Sequence, residues 1–147
     1  MTTSKDFTEQ EWEQVREAPT MAGMLVATTE RGGIFKETLS MAKAYAEARQ
    51  QHGQSELLDE IVAAKPKVDH TRFSSPEELR DHTLASLGQA RALVASKATP
   101  EEVEDYKGFI VNLARKVAGA HTEGGEGKGA PSDAEQAAID SIAQALS

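Results

Sequence analysis

Four short stretches of this 147-residue chain carry the residue pattern of a helix N-terminus. In each, a serine or threonine is followed three residues later by a glutamate. In such a capping box the hydroxyl accepts a hydrogen bond from the amide of the third helical residue, and the carboxylate accepts one from the amide of the capping residue. The four pairs are Thr8 with Glu11, Ser75 with Glu78, Thr99 with Glu102, and Ser132 with Glu135. So many helix starts in a short chain predict an all-α protein.

Apolar residues recur with helical spacing after these starts. Repeats of three and four residues place them on one face of a helix, which is the face that a core buries. The predicted stripes are Leu79-Thr83-Leu87-Ala90-Val94, Val103-Tyr106-Ile110-Leu113-Val117 and Ile34-Thr38-Met41-Ala42-Tyr45. A shorter helix is predicted over residues 55–64. Together they predict a single-domain bundle of five to seven helices covering residues 1–147.

The segment PTMAGMLVATT, residues 19–29, is apolar on nearly all sides. A helix with this composition is expected to lie centrally and to pack against several neighbours. A short buried strand is the alternative, because periodicity does not separate the two over so few residues. No second segment offers itself as a strand partner, so we predict a central helix. Pro19 is expected to break or kink the helix that begins near Thr8, because proline lacks an amide donor.

Composition excludes several classes of function. The chain has no cysteine, which removes disulfides, thiolate metal sites and cysteine nucleophiles. Its net charge is −8 and no basic patch stands out, so we expect neither nucleic acid nor a membrane surface as a partner. The N-terminal stretch has no apolar run of the kind a signal peptide needs. We therefore expect a cytoplasmic protein.

A glycine-rich stretch, residues 122–131, precedes the last predicted helix. It lacks the spacing of a phosphate-binding loop, since Thr122 and Gly129 stand where glycine and serine or threonine are needed. We predict a flexible connection to a C-terminal helix over residues 132–146, which docks weakly through its small apolar side. An anion site at Lys128 is the alternative. The docking side is predicted to comprise Ala134, Ala138, Ile142, Ala145 and Leu146.

Acidic residues cluster at the starts of the last two helices. Convergent carboxylates are the ligands that hard divalent cations prefer. The candidate metal ligands are Glu102, Glu104, Asp133 and Glu135. Carboxylates in a first helical turn are also favoured by the helix dipole alone, so a purely structural role is the alternative. None of the four histidines has the spacing of a paired metal ligand on one helix.

The same two starts carry a resemblance to a known fold. The segments KATPEEVE at 97–104 and KGAPSDAE at 128–135 share their lysine, proline and closing glutamate. With the helices that follow, they resemble uncharacterised bacterial all-helical proteins, which are similar in turn to the tellurite-resistance TerB-like fold. This resemblance covers roughly the last 55 residues. It implies a stress-associated role and a metal-binding role for Glu104 and Glu135. The Asp-Gly pair of TerB-like turns is absent here.

No set of nucleophile and base can be assembled from sequence motifs. We therefore expect a non-enzymatic interaction or accessory module with a protein partner and no cofactor. The alternative is a helical protein that binds a small ligand or a divalent cation. A sizeable pocket lined by more than one polar group would favour that alternative.

Overall fold

The computed structural model describes residues 3–27, 34–50, 56–63, 75–122 and 133–147. After a short 3-10 helix at Ser4–Asp6, the elements are α1 (Glu9–Ala27), α2 (Ile34–Gln50), α3 (Glu56–Ala63), α4 (Pro76–Lys97), α5 (Pro100–Thr122) and α6 (Asp133–Ala145). The described residues contain six α-helices and no strand. The prediction of an all-α bundle of five to seven helices is confirmed. None of the helices in these ranges is both long and apolar enough to cross a membrane.

The described helix starts are capped as the sequence predicts. The Thr8 amide donates to Glu11 Oε1 at 2.8 Å, and the Glu11 amide donates to Thr8 Oγ1 at 3.1 Å. The same reciprocal pair forms between Thr99 and Glu102, at 3.1 and 3.2 Å. At the start of α4 the Glu78 amide donates to Ser75 Oγ at 3.1 Å. The fourth predicted box depends on Ser132, which lies outside the described residues.

Helix α1 is the central element of the bundle. Every residue from 18 to 26 is buried, and α1 packs against α2, α4, α5 and α6. The prediction of a central apolar helix near residues 19–29 is therefore confirmed for the part that the structure describes.

Of the two outcomes expected at Pro19, a break does not occur, because α1 runs through this residue without ending, and a kink stays a prediction. In a regular helix the amide at position 19 would donate to the carbonyl of Val15, and proline has no such amide. In this fold the buried hydroxyl of Tyr106 donates to that carbonyl oxygen at 2.7 Å. A side chain 91 residues away in sequence thus supplies the hydrogen bond that Pro19 removes.

The stripes of α4 and α5 form a large part of the remaining core. All five predicted positions on α4 are buried, as are four of the five on α5, with Val103 half-buried. On α2, Tyr45 is buried but Ala42 is exposed. The side chains of Ile34, Thr38 and Met41 lie outside the described part.

The C-terminal helix packs against α1, α4 and α5. Ala138, Ile142 and Leu146 are buried as predicted, and Ala145 is half-buried. Ile139 is also buried, so the apolar contact surface is larger than the predicted one. The side chain of Ala134 and residues 123–132, which include Lys128 and almost all of the predicted glycine loop, lie outside the described residues.

Candidate functional site

The predicted metal ligands occupy unlike environments. The Glu102 side chain is buried and caps α5 through Thr99. Glu104 is exposed and pairs with Lys107 at 3.1 Å, one turn further along the same helix. Asp133 is exposed at the first residue of α6, while Glu135 is almost fully buried. The described residues contain no group of three or more histidine or acidic side chains placed to hold a metal ion. Metal binding by these four residues stays a prediction.

A groove of about 370 Å³ lies between α2, α3 and α5. Sequence patterns did not indicate it, because its walls come from three separate segments of the chain. Seven of its twelve lining residues belong to α5. The full lining comprises Ala44, Glu47, Ala48, Leu58, Asp59, Glu104, Asp105, Gly108, Phe109, Asn112, Leu113 and Lys116.

The α3 wall is held in place by hydrogen bonds from two other parts of the chain. Helix α3 has only eight residues, which is too few to be stable alone in water. The Arg49 Nε of α2 donates to the Val62 carbonyl oxygen in the last turn of α3. At the other side, the Ser4 amide donates to Glu60 Oε2 at 3.1 Å. With Leu57, Ile61 and Val62 buried in the core, these bonds fix the wall that carries Leu58 and Asp59.

The floor of the groove is apolar. Ala44 and Leu113 are buried, whereas Leu58 and Phe109 are half-buried and reach the groove surface. The Phe109 ring meets the ring of Tyr45 edge-on, with centroids 5.4 Å apart and planes at 66°. That edge-to-face contact is a preferred arrangement for aromatic pairs. It favours the observed orientation of the Phe109 ring at the floor of the groove.

The rim of the groove is acidic. Four carboxylates line it, from Glu47, Asp59, Glu104 and Asp105, against the single ammonium of Lys116. Lys116 Nζ is paired with Glu47 Oε2, which joins α5 to α2 across the groove. The described lining therefore carries four negative charges and one positive charge. A ligand that fits this surface would present apolar groups to the floor and positive charge to the rim.

Gly108 lies in the middle of the groove wall on α5. It is exposed, and a Cβ atom built on it would meet nothing within 4 Å. Glycine inside a helix costs about 1 kcal/mol relative to alanine. No neighbouring element in the described structure comes close enough to Gly108 to require that this position have no side chain. The effect of this glycine is to deepen the groove and to allow another chain to approach the helix backbone closely.

Comparison of the chain with models of protein families, with curated proteins and with solved structures finds no match in any of the three. The resemblance to TerB-like proteins stays a prediction. Of the predicted metal ligands, only Glu104 lines the groove.

Proposed function

We propose that this protein is a non-enzymatic interaction module that holds a short helical segment of a partner protein in the groove between α2, α3 and α5. The observation that carries the proposal is Gly108. A residue that weakens its own helix and has open space above it is explained by a partner that packs there. The resemblance to TerB-like proteins adds a stress-associated role to the proposal. The absence of cysteine supports the cytoplasm as its location.

The shape of the groove supports a peptide segment as the ligand. Its lining on α5 runs from Glu104 to Lys116, a distance of about 18 Å at about 1.5 Å per residue. Five of the twelve lining residues are exposed, so the groove is open along its length. Grooves of this kind accept the apolar face of an amphipathic helix. Sites for small molecules usually enclose most of the ligand surface.

A small ligand is the second candidate function. The groove volume of about 370 Å³ falls in the range of small-molecule sites, and more than one polar group lines it. Divalent-cation binding belongs to the same class of alternatives, but the described residues contain no group of three acidic or histidine side chains placed to hold such an ion. Either ligand would bind without a partner protein.

The test compares three baits in affinity capture from the native cell lysate. Gly108→Trp places a large side chain in the groove, and a Cβ atom at this position meets nothing within 4 Å, so the change is expected to leave the core intact. Ala85→Trp is the matched control, since Ala85 is exposed on α4, which contributes no residue to the groove. We expect a partner that is captured by the wild type and by Ala85→Trp but is lost with Gly108→Trp.

Two results would count against the proposal. One is a set of captured proteins that is the same for all three baits. The other is the absence of any captured protein together with calorimetric binding of a metabolite fraction or Ca²⁺, which would favour the second candidate. Thermal unfolding of each variant establishes that a lost partner does not reflect a lost fold.

A further inference from the structure

We propose that the partner segment bound in the groove is a basic amphipathic helix. In the free protein, the Lys116 ammonium occupies the position that a cationic side chain of this segment takes on binding. This inference rests on the proposed function, because it assigns a chemistry to the partner of the same groove. The observations behind it are the charges of the rim, the Lys116–Glu47 pair and the apolar floor.

The negative charge of the groove lining favours a partner segment with positive charge. Four carboxylates and one ammonium line the groove around an apolar floor. Glu47 pairs with Lys116 and Glu104 with Lys107, but the lining keeps a net negative charge, which a basic segment complements and an acidic segment opposes. Basic side chains at the edges of an apolar helix face would meet those carboxylates. Arginine suits this position best, because its guanidinium makes two parallel hydrogen bonds to one carboxylate.

Charges along α5 are unevenly placed. Glu104 and Asp105 lie at one end of the groove, and Lys116 lies about three turns away at the other. Between them, Gly108 and Phe109 present the helix backbone and an aromatic ring. We therefore place the most basic part of the partner next to Glu104 and Asp105, and its apolar anchors above Gly108 and Phe109.

Lys116 shows how the groove accommodates a cation. Its ammonium bridges two walls of the groove by pairing with Glu47 on α2. Both side chains keep access to water, at 33% and 58% relative exposure, so the pair is weak and readily exchanged. A partner arginine that takes over Glu47 releases Lys116 to solvent. The pair is therefore a competitor for the partner rather than part of the permanent structure.

The probe for this inference is a synthetic peptide of leucine and lysine with the apolar residues in helical spacing. A copy with glutamate in place of every lysine is the charge control, and spermidine and Ca²⁺ are the small-cation controls. Binding is measured by fluorescence anisotropy and calorimetry on the full chain. We expect the lysine peptide to bind and the glutamate copy not to bind. Spermidine and Ca²⁺ should not displace the peptide at comparable concentrations.

Three variants test the assigned roles. Glu104→Gln with Asp105→Asn should weaken binding of the lysine peptide by about 3- to 10-fold and make it less sensitive to salt. Lys116→Met should strengthen it by about 2- to 5-fold, because the internal competitor is gone. Glu77→Gln with Asp81→Asn, two exposed changes on α4, removes the same two charges away from the groove and should leave binding unchanged.

Different results would overturn the assigned charge of the partner and the proposed function of the groove. If the captured partner depends on Gly108 but its affinity is unchanged by Glu104→Gln with Asp105→Asn, the groove is the binding site and the assigned charge is wrong. Equal binding of the lysine peptide to the wild type and to Gly108→Trp would overturn the assignment of the peptide to the groove. Spermidine binding as tight as that of the peptide would show a site for small cations instead.

Discussion

At the scale of single residues, the most informative contact is the hydrogen bond from the buried Tyr106 hydroxyl to the Val15 carbonyl oxygen. It compensates for the missing amide of Pro19, and so allows α1 to continue as one helix through the centre of the molecule. Without this hydrogen bond, the Val15 carbonyl oxygen in the core would lack a donor, because the residue that normally supplies it in a helix is Pro19.

A double-mutant cycle tests this account. Tyr106→Phe should lower the free energy of unfolding by about 1–3 kcal/mol, because it leaves the buried Val15 carbonyl without its donor. In the background of Pro19→Ala, which restores an amide at the helical position, the same change should cost clearly less. Chemical denaturation of the four proteins gives the coupling. Strict additivity of the two changes would show that Tyr106 does not compensate for Pro19.

The two tyrosines also predict a dependence on alkaline pH. Burial raises the pKa of Tyr45 and of Tyr106, and the proximity of the two phenols raises that of Tyr106 further. Since the pKa in the folded state lies above the unfolded value of about 10, the neutral phenols stabilise the fold fully below that pH. This contribution to the free energy of unfolding is lost as the pH rises from the unfolded-state pKa through the folded-state pKa of each tyrosine.

These are the only tyrosines in the sequence, so phenolate absorbance reports on them alone. We expect phenolate to appear together with the loss of helical circular dichroism. Titration near pH 10 with the helices intact would be inconsistent with both rings being buried.

At the scale of the elements, α6 buries more apolar surface than the predicted docking side, so we expect it to be attached more firmly than its alanine-rich sequence indicates. Its apolar contacts reach α1, α4 and α5, and Ile139 adds to the buried surface of Ile142 and Leu146. The prediction of weak docking considered one isoleucine and one leucine. The sequence did not show that the side of α6 carrying Ile139 is covered as well, because this depends on the positions of α1, α4 and α5.

Ile142→Ala should lower the free energy of unfolding by about 2–5 kcal/mol, as expected for a cavity at a fully buried site. Because α6 contacts three helices, we expect the loss to be shared by the whole bundle. Hydrogen exchange should therefore accelerate in α4 and α5 as well as in α6. Gln144→Ala, at an exposed position on the same helix, is the control. Faster exchange confined to residues 133–147 would contradict this expectation and would support the sequence-based prediction that α6 docks weakly.

The sequence predicts those parts of the fold that depend on near neighbours. The boxes at Thr8 and Thr99 and the stripes of α4 and α5 need only residues three or four positions apart, and they are present as predicted. The hydrogen bond of Tyr106 to α1 joins residues far apart in the sequence and could not be predicted from local patterns. The sequence therefore left open a break at Pro19 that does not occur.

The groove depends on three helices at once and could not be predicted from local patterns. Two of its residues nevertheless carried a signal. Glu104 was singled out as a candidate metal ligand, and the structure places it on the rim of the groove. Gly108 interrupts an otherwise regular helical pattern, and glycine inside a helix often marks a close approach of another chain.

At the scale of the whole molecule, the core and the groove share elements. All six described helices contribute to the core, and α2, α3 and the outer face of α5 also form the groove, which is the proposed recognition surface. The packed helices position the acidic rim and the aromatic floor. We expect a partner to bind without the bundle rearranging, which would keep the cost of ordering small.

The central claim is that the groove is the surface at which a partner protein binds. Its most direct test is photo-crosslinking in the native cell from a photoreactive amino acid placed at Asn112, which is exposed in the groove. The same group at Ala85 on α4 serves as the control. The account predicts a discrete crosslinked partner from position 112 that is absent from position 85 and disappears when Gly108→Trp is added. A partner crosslinked equally from both positions, or one that persists with Gly108→Trp, would contradict it.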